Sequence, residues 1–233
     1  MLDPCTMIVL AAGRGERLGG PLPKQYLPLR GRPLLWHTLS RLHRHRQIDA
    51  IVPVIAPTGE GLWQQILSPL LSDLPKITPP VLGGAERQQS VFMALHTLAL
   101  AEDAWVGIHD GARPLLEGDL LDRLLDARVH GEAIIPGLMA SDTVKQIDRG
   151  EVVATLNRDR ILLAQTPQLF RFHQIRYAHQ QAAASRFIGT DDASLVERLA
   201  QPVRIVAGSA RNIKITHPLD WQLAELLLQE EES

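Results

Sequence analysis

The 233-residue sequence has very little cysteine and few aromatic residues: Cys5 is the only thiol, and Phe, Trp and Tyr together make up 4%. A single cysteine excludes an internal disulfide framework and is typical of a reducing compartment. The four tryptophans are scattered along the chain, which favours core or interface positions over a base-stacking platform. We therefore expect a cytoplasmic protein whose length is sufficient to bury a full core.

The sequence also lacks an excess of positive charge and any long apolar run. Lys and Arg number 24 against 26 Asp and Glu, so a general nucleic-acid-binding surface is not expected and any anion site must be local. The apolar run 7–12 is too short for a signal peptide or a membrane span. The sequence therefore predicts no nucleic-acid partner and no membrane association.

Short apolar runs alternate with helical patterns along most of the chain. Five runs are rich in β-branched residues and predict strands buried on both faces: 7–12, 50–56, 104–109, 132–138 and 203–208. Leucines at helical spacing predict helices between them, and further helices are expected over 86–100, 191–200 and 218–229. This alternation predicts an α/β fold with a doubly wound, mostly parallel sheet, forming a single domain over 1–233.

One segment does not fit that alternation. The sequence DTVKQIDRGEVVATLNR, residues 142–158, predicts two strands joined around Asp148-Arg149-Gly150, where Gly150 can take a positive φ. A hairpin has no place in a parallel sheet, so we expect it to project as an arm over about 139–160. An isolated hairpin is only marginally stable, and the apolar Val144, Val152 and Leu156 predict that the arm packs against a second subunit of a homodimer.

The first predicted strand leads into the glycine-rich stretch IVLAAGRGERLGGPLPKQYLPL, residues 8–29. It lacks the Gly-Lys-Ser/Thr of a Walker loop. The spacing of Gly13, Gly15 and Gly19 is also wrong for a dinucleotide fingerprint, and Ala56-Pro57 stands where an acidic residue should end the second strand. Hydride-transfer chemistry is therefore not expected.

Small residues in this stretch leave backbone N–H groups accessible to a ligand. Ala11, Ala12, Gly13 and Gly15 can close around a base, a ribose or phosphates at the carboxyl edge of a parallel sheet. Arg17 and Lys24 add two positive charges nearby. The alternative is a tight turn with two solvated cations, but the coincidence of features in the whole string favours a nucleotide site.

The string LAAGxGxRLGxxxPKQYLPLxGxPLL resembles the signature of nucleotide-sugar-type nucleotidyltransferases, which implies a Rossmann-like nucleotidyltransferase fold. Seven later stretches resemble, in this order, the 2-C-methyl-D-erythritol 4-phosphate cytidylyltransferase family: GGAERQQSVFMAL, HDGARP, DTVKQ, TLNRD, QTPQLF, TDDASLVE and NIKIT. The resemblance covers residues 6 to 228. It implies transfer of CMP from CTP to methylerythritol phosphate with release of pyrophosphate, Mg²⁺ as cofactor, bound mainly to the triphosphate, and a homodimer.

The resemblance also implies site residues. CTP would lie against Ala11, Ala12, Gly13, Gly15, Arg17 and Lys24, with Gly84, Ala85 and Ser90 at the cytosine and ribose and Gly111 nearby. The acceptor would contact Asp110, Arg113, Thr190 and Lys214, while Thr143 and Arg158 would reach it from the partner subunit. Two residues depart from the family pattern: Ala85 stands where many relatives have an acid, and Gly111 where alanine is commoner. Contact to cytosine at Ala85 would then be by backbone.

The expected chemistry needs converging positive charge. An acceptor phosphate is already anionic near neutral pH, so it needs no Ser-His or Cys-His activation, but it must approach a negatively charged triphosphate. Arg17, Lys24 and Lys214 are therefore predicted to be catalytic. Lys214 lies in the alternating run NIKIT, which suggests a strand, with a snorkelling lysine on an edge strand as the alternative.

Simpler structural roles remain open for three of these positions. Asp110 could be a helix cap or a salt-bridge partner of Arg113, Thr190-Asp191-Asp192 could cap a helix, and Arg158 could form a salt bridge within its own subunit. Two other functions also remain open: a cytidylyltransferase for another polyol phosphate, such as ribitol 5-phosphate, and a nucleotide-binding regulatory module without turnover.

Overall fold

The computed structural model describes residues 4–13 and 22–232, and an eight-stranded sheet is its central element. Seven of the strands follow the spatial order β10-β7-β11-β6-β1-β4-β5, and β12 pairs in parallel with β7. They are β1 (Cys5–Ala11), β4 (Ala50–Ile55), β5 (Val81–Leu82), β6 (Trp105–Asp110), β7 (Ala133–Met139), β10 (Leu162–Ala164), β11 (Gln168–Arg171) and β12 (Arg204–Ala207). The α/β class and the mainly parallel sheet are confirmed.

The strand order reverses at β1. β4 and β5 follow on one side of β1, whereas β6 pairs with β1 on its other side, and these pairings are all parallel. The carboxyl ends of β1 and β6 therefore flank a topological switch point, where ligands of open α/β sheets bind. β11 is antiparallel to β6 and β7, and β10 is antiparallel to β7, so this half of the sheet is mixed.

Within the described residues, seven helices accompany the strands. Their bounds are α1 (Leu34–Arg44), α2 (Glu60–Leu62), α3 (Arg87–Thr97), α4 (Gly118–Asp126), α5 (Phe172–Ala184), α6 (Ala193–Arg198) and α7 (Pro218–Glu232). The single turn of α2 belongs to a run of short helical turns from Pro57 to Leu70. The predicted helices are all present, and α5 is an addition that the leucine pattern did not indicate.

Two apolar cores lie on opposite faces of the sheet. Along β1, Met7 and Val9 belong to one core and Ile8 to the other, as the alternation of side chains in a strand requires. Leucines of α1 and α4 fill the first core, and residues of α3, α5 and α6 fill the second. A smaller third core joins Leu29, Leu115 and α7. This double burial explains the uninterrupted apolar character of the central strands.

The arm is a separate two-stranded sheet of β8 (Val144–Asp148) and β9 (Glu151–Leu156). Arg149 and Gly150 form its turn with φ of 47° and 88°, so the predicted positive φ at Gly150 is confirmed. Ile147 and Val152 face each other across the strands and are 69% and 62% exposed. A second small hairpin, β2 (Pro28–Leu29) with β3 (Arg32–Pro33), precedes α1.

Candidate active site at the carboxyl edge of the sheet

A cleft of about 900 Å³ opens at the switch point beside the carboxyl ends of β1, β4 and β6. Ten of the predicted site residues line it: Ala11, Ala12, Gly13, Lys24, Gly84, Ala85, Ser90, Asp110, Gly111 and Lys214. Residues from five separate parts of the chain therefore meet in one cavity. Gly15 and Arg17, which were also predicted to bind CTP, lie outside the described residues.

One wall of the cleft is built from backbone and small side chains. Ser90, at the start of α3, accepts a hydrogen bond from the Gly84 N–H at 3.1 Å and donates to the Glu86 carbonyl at 3.0 Å. A Cβ on Gly83 would lie 2.6 Å from Ser90 Oγ and 3.1 Å from the Ala12 Cβ, so only glycine fits there. This packing holds the loop after β5 against the end of β1 and leaves its backbone facing the cavity.

Lys24 reaches the cleft from the short helical turn Lys24–Tyr26. Its Nζ donates to the Ile215 carbonyl oxygen at 2.6 Å, which links the segment after the glycine-rich stretch to the segment before α7. Next to it, Gln25 donates from Nε2 to the Ala11 carbonyl at 2.7 Å and is buried. These two bonds fix the start of this segment relative to the end of β1.

Asp110, the last residue of β6, stands at the centre of the charged wall. Its carboxylate lies 2.9 Å from Lys214 Nζ, 3.6 Å from Arg87 Nε and 3.7 Å from Arg113 Nε. Burial alone would raise the pKa of this carboxyl, but Lys214, Arg87 and Arg113 together hold the pKa well below its ordinary value. Asp110 is therefore ionised at neutral pH, and the salt bridge to Arg113 considered from the sequence exists within a larger cluster.

Arg87 extends this cluster to a second buried carboxylate. Its Nη2 lies 2.7 Å from Asp192 Oδ2, and His179 Nε2 lies 3.1 Å from Asp192 Oδ1. Burial would raise the pKa of Asp192, but Arg87 and His179 hold it below its ordinary value. Burial by itself would lower the pKa of Arg87, yet the two carboxylates raise it above its ordinary value. Arg87 therefore carries a fixed positive charge at the cleft wall.

Arg113 is buried rather than open to the cavity, and it is not among the residues that line the cleft. Its Nη1 donates to the Asn212 carbonyl at 2.7 Å, and Asn212 Nδ2 donates to the Thr166 carbonyl at 2.8 Å. Burial lowers the pKa of Arg113, with Asp110 acting in the opposite direction. In this arrangement Arg113 holds Asp110 and the segment before Lys214 in place.

A neutral histidine supports the same strand end. His109 is fully buried, and its Nδ1 lies 3.0 Å from Thr166 Oγ1, which in turn accepts the Asp110 N–H at 3.0 Å. Burial lowers the pKa of His109 from 6.5 to about 3. The imidazole is therefore uncharged near neutral pH and shares a hydrogen bond with the threonine hydroxyl.

The prediction that NIKIT forms a strand is wrong, because residues 212–216 form a loop without strand pairing. The alternation has another cause: Asn212 and Ile215 are buried in the loop, while Lys214 projects into the cleft. The Ile215 N–H donates to the Ala112 carbonyl at 2.9 Å, which holds the loop against the end of β6. Lys214 therefore faces Asp110 without the cost of a buried strand position.

Besides Arg113, three predicted acceptor residues are described but are not among those that line the cleft. Thr143 and Arg158 lie on the arm and are exposed, and Arg158 Nη1 donates to the Ser141 carbonyl at 2.8 Å. Thr190 is exposed two residues before the buried Asp192. The neighbouring Asp191 accepts the Ser194 N–H on Oδ1 at 3.0 Å and so supports the first turn of α6, in line with the helix-start role that the sequence suggested.

Sequence reasoning missed three contributors to the site: Arg87, Gln25 and Thr166. Arg87 could have been found, because it follows the Gly83-Gly84 pair at the start of a predicted helix, next to Ser90. Gln25 and Thr166 gave no such signal. Their polar groups matter because tertiary structure places them beside the ends of β1 and β6.

Residues 4–13 and 22–232 contain neither a candidate metal cluster nor a membrane-spanning helix. In that part of the chain no group of three or more His, Cys, Asp or Glu side chains could hold a metal ion. No helix among the same residues is long and apolar enough to cross a membrane.

Comparison with known proteins identifies the family. The sequence model of the family described as 2-C-methyl-D-erythritol 4-phosphate cytidylyltransferase matches residues 5–230. A protein of that name from Symbiobacterium thermophilum is 44% identical over 229 residues, which cover 98% of this chain and 94% of the relative. A relative of the same name from Geotalea uraniireducens is 44% identical over 225 residues, covering 96% of each chain.

Solved structures agree with this match. The 4-diphosphocytidyl-2C-methyl-D-erythritol synthase of Anaerococcus prevotii has a TM-score of 0.83 at 32% identity, covering 97% of this chain and 99% of that one. The 2-C-methyl-D-erythritol 4-phosphate cytidylyltransferase of Francisella tularensis has a TM-score of 0.83 at 33% identity, covering 96% and 99%. The chain therefore belongs to the 2-C-methyl-D-erythritol 4-phosphate cytidylyltransferase family.

Proposed function

We propose that this protein transfers CMP from CTP to 2-C-methyl-D-erythritol 4-phosphate, giving 4-diphosphocytidyl-2-C-methyl-D-erythritol and pyrophosphate in non-mevalonate isoprenoid precursor biosynthesis. The main support within the molecule is the convergence of Lys24, Arg87 and Lys214 on a cleft whose opposite wall is backbone and small side chains. A nucleoside triphosphate needs both surfaces: the wall of backbone and small side chains suits its flat base, and the cations suit its polyphosphate. The family match supplies the identity of the two substrates.

The reaction is an in-line displacement at phosphorus. An oxygen of the acceptor phosphate attacks the α-phosphorus of CTP, a new P–O bond forms, and the bond from the α-phosphorus to the bridging oxygen breaks so that pyrophosphate leaves. Two unit charges 4 Å apart repel by roughly 4 kcal/mol at an effective dielectric of about 20, so the approach of two anions is the main difficulty. Lys24 and Lys214, with Arg17, are proposed to offset this repulsion at the α-phosphate.

The nucleotide is proposed to bind against the small-residue wall. Backbone groups of Gly84 and Ala85 would recognise the cytosine amine, with Ser90 holding their loop through the bond to the Gly84 N–H. Gly111 fits the same surface, since a Cβ there would lie 2.9 Å from the Leu10 carbonyl oxygen. We expect CTP to be used far better than UTP, ATP or GTP, and equal turnover with UTP would contradict the cytosine assignment.

The acceptor is proposed to bind on the Asp110 side of the cleft. Asp110 can accept hydrogen bonds from polyol hydroxyls, and Lys214 can contact the acceptor phosphate, while Arg113 holds Asp110 from behind. Thr190 is proposed to complete this subsite from the segment before α6. Thr143 and Arg158 are proposed to reach the acceptor from the partner subunit, because they lie on the exposed arm.

Magnesium is proposed as the cofactor, carried mainly by the triphosphate. Among the described residues, the carboxylates that line the cleft are Asp110 and Glu86, and Asp110 already faces three cations. This donor set suits an ion held by substrate phosphates more than one caged by protein. When bound, Mg²⁺ would neutralise charge on the triphosphate. We expect a chelator to abolish turnover and added Mg²⁺ to restore it.

The arm is proposed to form a homodimer. Ile147, Val152 and Val153 are more than half exposed on a hairpin that stands apart from the main sheet. A hairpin with apolar side chains in water is marginally stable and is stabilised by a partner surface.

The buried Cys5, whose pKa burial raises to about 12, fits the cytoplasmic location that we propose.

The test of the function is a pyrophosphate-release assay. Purified protein is incubated with CTP, Mg²⁺ and either 2-C-methyl-D-erythritol 4-phosphate or ribitol 5-phosphate, and the cytidylylated product is identified by mass spectrometry. We expect rapid release with methylerythritol phosphate and little with ribitol phosphate. The opposite preference would identify a cytidylyltransferase for another polyol phosphate, and binding without release would identify a regulatory module.

A further inference from the structure

Neighbouring side chains in the first turn of α3 contact two different loops. Gln88 donates from Nε2 to the Phe187 carbonyl at 2.9 Å and accepts the Gly189 N–H on Oε1 at 2.9 Å. Both contacts are with backbone on either side of Ile188, whose side chain is 72% exposed. Gln88 thus fixes the path of the segment Phe187–Asp192 while the middle of that segment faces solvent.

Arg87 contacts the far end of the same segment. Its Nη2 lies 2.7 Å from Asp192, so the first two residues of α3 hold the segment at three points. Thr190 lies between the points held by Gln88 and Arg87. The position of Thr190 relative to Asp110 is therefore set by α3, since Arg87 also lies 3.6 Å from Asp110.

Gln89, the next residue, contacts a different loop, the one that follows β5. Its Oε1 accepts the Ala85 N–H at 3.0 Å, and a Cβ on Gly84 would lie 2.4 Å from the Gln89 side chain. Gln89 therefore lies over the loop that is proposed to recognise cytosine. Two consecutive glutamines on one helical turn therefore hold two different loops, one that lines the cleft and one that carries Thr190.

We propose that Gln88 is a positioning residue for the acceptor subsite and that Gln89 is its counterpart for the nucleotide subsite, so that α3 fixes the two substrates relative to each other. The inference rests on the proposed function. Displacement at phosphorus requires the two reacting atoms to be held close and in line, and a misplacement of 1 Å can lower the rate by about 10²-fold. A single rigid turn that holds both loops meets this requirement.

The test replaces each glutamine with methionine, which keeps the length of the side chain but removes both polar atoms. Steady-state constants are measured with CTP and 2-C-methyl-D-erythritol 4-phosphate, each varied at saturating levels of the other. We expect Gln88→Met to raise the KM for methylerythritol phosphate by roughly five- to tenfold, with the KM for CTP within about twofold of wild type, as the loss of one or two hydrogen bonds predicts. Gln89→Met should show the reverse pattern.

A conservative variant separates positioning from packing. Gln88→Glu keeps an acceptor for the Gly189 N–H but loses the donor to Phe187, so its KM for methylerythritol phosphate should fall between wild type and Gln88→Met. If Gln88→Met does not fold, Gln88→Glu replaces it in the kinetic test. The melting temperatures of all variants are measured in parallel. A lower melting temperature with unchanged kinetic constants would show that Gln88 is structural only and would overturn the inference.

The other outcomes are also decisive. An active wild-type enzyme in which Gln88→Met raises the KM for CTP instead, or moves neither constant, overturns this inference and leaves the proposed function intact. A wild-type protein that releases no pyrophosphate from these two substrates overturns the proposed function, and this inference with it.

Discussion

The cleft and the arm differ in how far their side chains find partners within the chain. In the cleft, Asp110, Arg87 and Asp192 form a linked cluster, and each charge has an oppositely charged neighbour within the chain. On the arm, Ile147 and Val152 face each other across two strands and remain more than 60% exposed. The charges of this cluster are paired within the chain, whereas the apolar side chains of the hairpin remain exposed.

This difference indicates what each region is for. Charges held by buried partners do not need to reorganise when a substrate binds, which is the condition for electrostatic stabilisation of a transition state. Exposed apolar side chains on a projecting hairpin gain free energy only when another surface covers them. The comparison therefore predicts strong effects of single substitutions in the cleft and effects of arm substitutions that appear through assembly.

The largest expected effect is on stability, at the buried end of the cluster. Asp192→Asn should lower the free energy of unfolding by about 3 kcal/mol, because Arg87 and His179 lose the buried carboxylate that they contact. This value is at the low end of the range for breaking a buried ion pair, since Arg87 is partly exposed. Chemical denaturation measures it. The matched control on the arm is Lys145→Ala, which removes an exposed bond to Thr155 and should change stability by only a few tenths of a kcal/mol. Similar losses in the two variants would contradict the comparison.

The next effect is on turnover. Lys24→Ala and Lys214→Ala should each lower kcat by roughly 10²-fold, because each removes a cation that is proposed to act in the transition state, and Arg17→Ala should do the same. The melting temperature should change little for the Lys24 and Arg17 variants, whereas Lys214→Ala also removes the nearest cation from the buried Asp110 carboxylate and should lower it. Lys76→Ala is the control, since Lys76 also donates to a backbone carbonyl, that of His45 at 2.8 Å, but does not line the cleft. A Lys24 variant that loses stability but keeps kcat would mean a structural role.

The third effect is a pH dependence of stability. The pKa of His109 is about 3 in the folded protein, so between that pH and its ordinary value of 6.5 the unfolded chain binds the proton more readily. Stability should therefore decrease as the pH falls, by about 2 kcal/mol from pH 7 to pH 5 for this group. His109→Asn keeps a polar side chain that can hydrogen-bond to Thr166 and should remove that part of the dependence. Parallel denaturation curves for both proteins at the two pH values test this, and equal slopes would refute it.

The smallest effect tests the arm through assembly. If Arg158 acts in the partner's site, mixing Lys24→Ala and Arg158→Ala chains gives about half mixed dimers, each with one intact site. Activity should return to about a quarter of wild type. Ile147→Asp should shift the mass of the particle toward the monomer, as measured by light scattering. No recovery of activity, with subunit exchange verified separately, would place Arg158 in the site of its own subunit.

The sequence predicted the central elements well because each was specified locally. The apolar runs of β1, β4 and β6 are buried on both faces, and the leucines of α1 and α4 repeat at helical spacing. Helix α5 was missed because its buried positions include Gln174 and His179, which weaken the apolar pattern. The antiparallel strands β10 and β11 are only three and four residues long and gave no signal.

The site was predicted in the same uneven way. Residues in recognisable strings, such as Lys24, Ser90 and Asp110, do line one cleft. Arg87 was overlooked, and Lys214 was assigned to a strand that does not exist. A short stretch of sequence does not show which charged residue a side chain will contact, or whether a segment will pair with a strand. Both depend on residues more than 100 positions away, namely Asp192 for Arg87 and Asp110 for Lys214.

The sequence by itself therefore determined the α/β class, the hairpin at residues 142–158, the family and the set of small and basic residues that make a nucleotide site. These follow from local periodicity, turn-forming residues and motifs, which need no knowledge of distant contacts. Only the tertiary structure decided that Asp110 gathers three cations, that Asp192 anchors Arg87, and that Gln88 and Gln89 hold different loops. The reason is physical: the reversal of strand order at β1 brings remote chain segments to one edge of the sheet, and charge pairing there depends on distance in space.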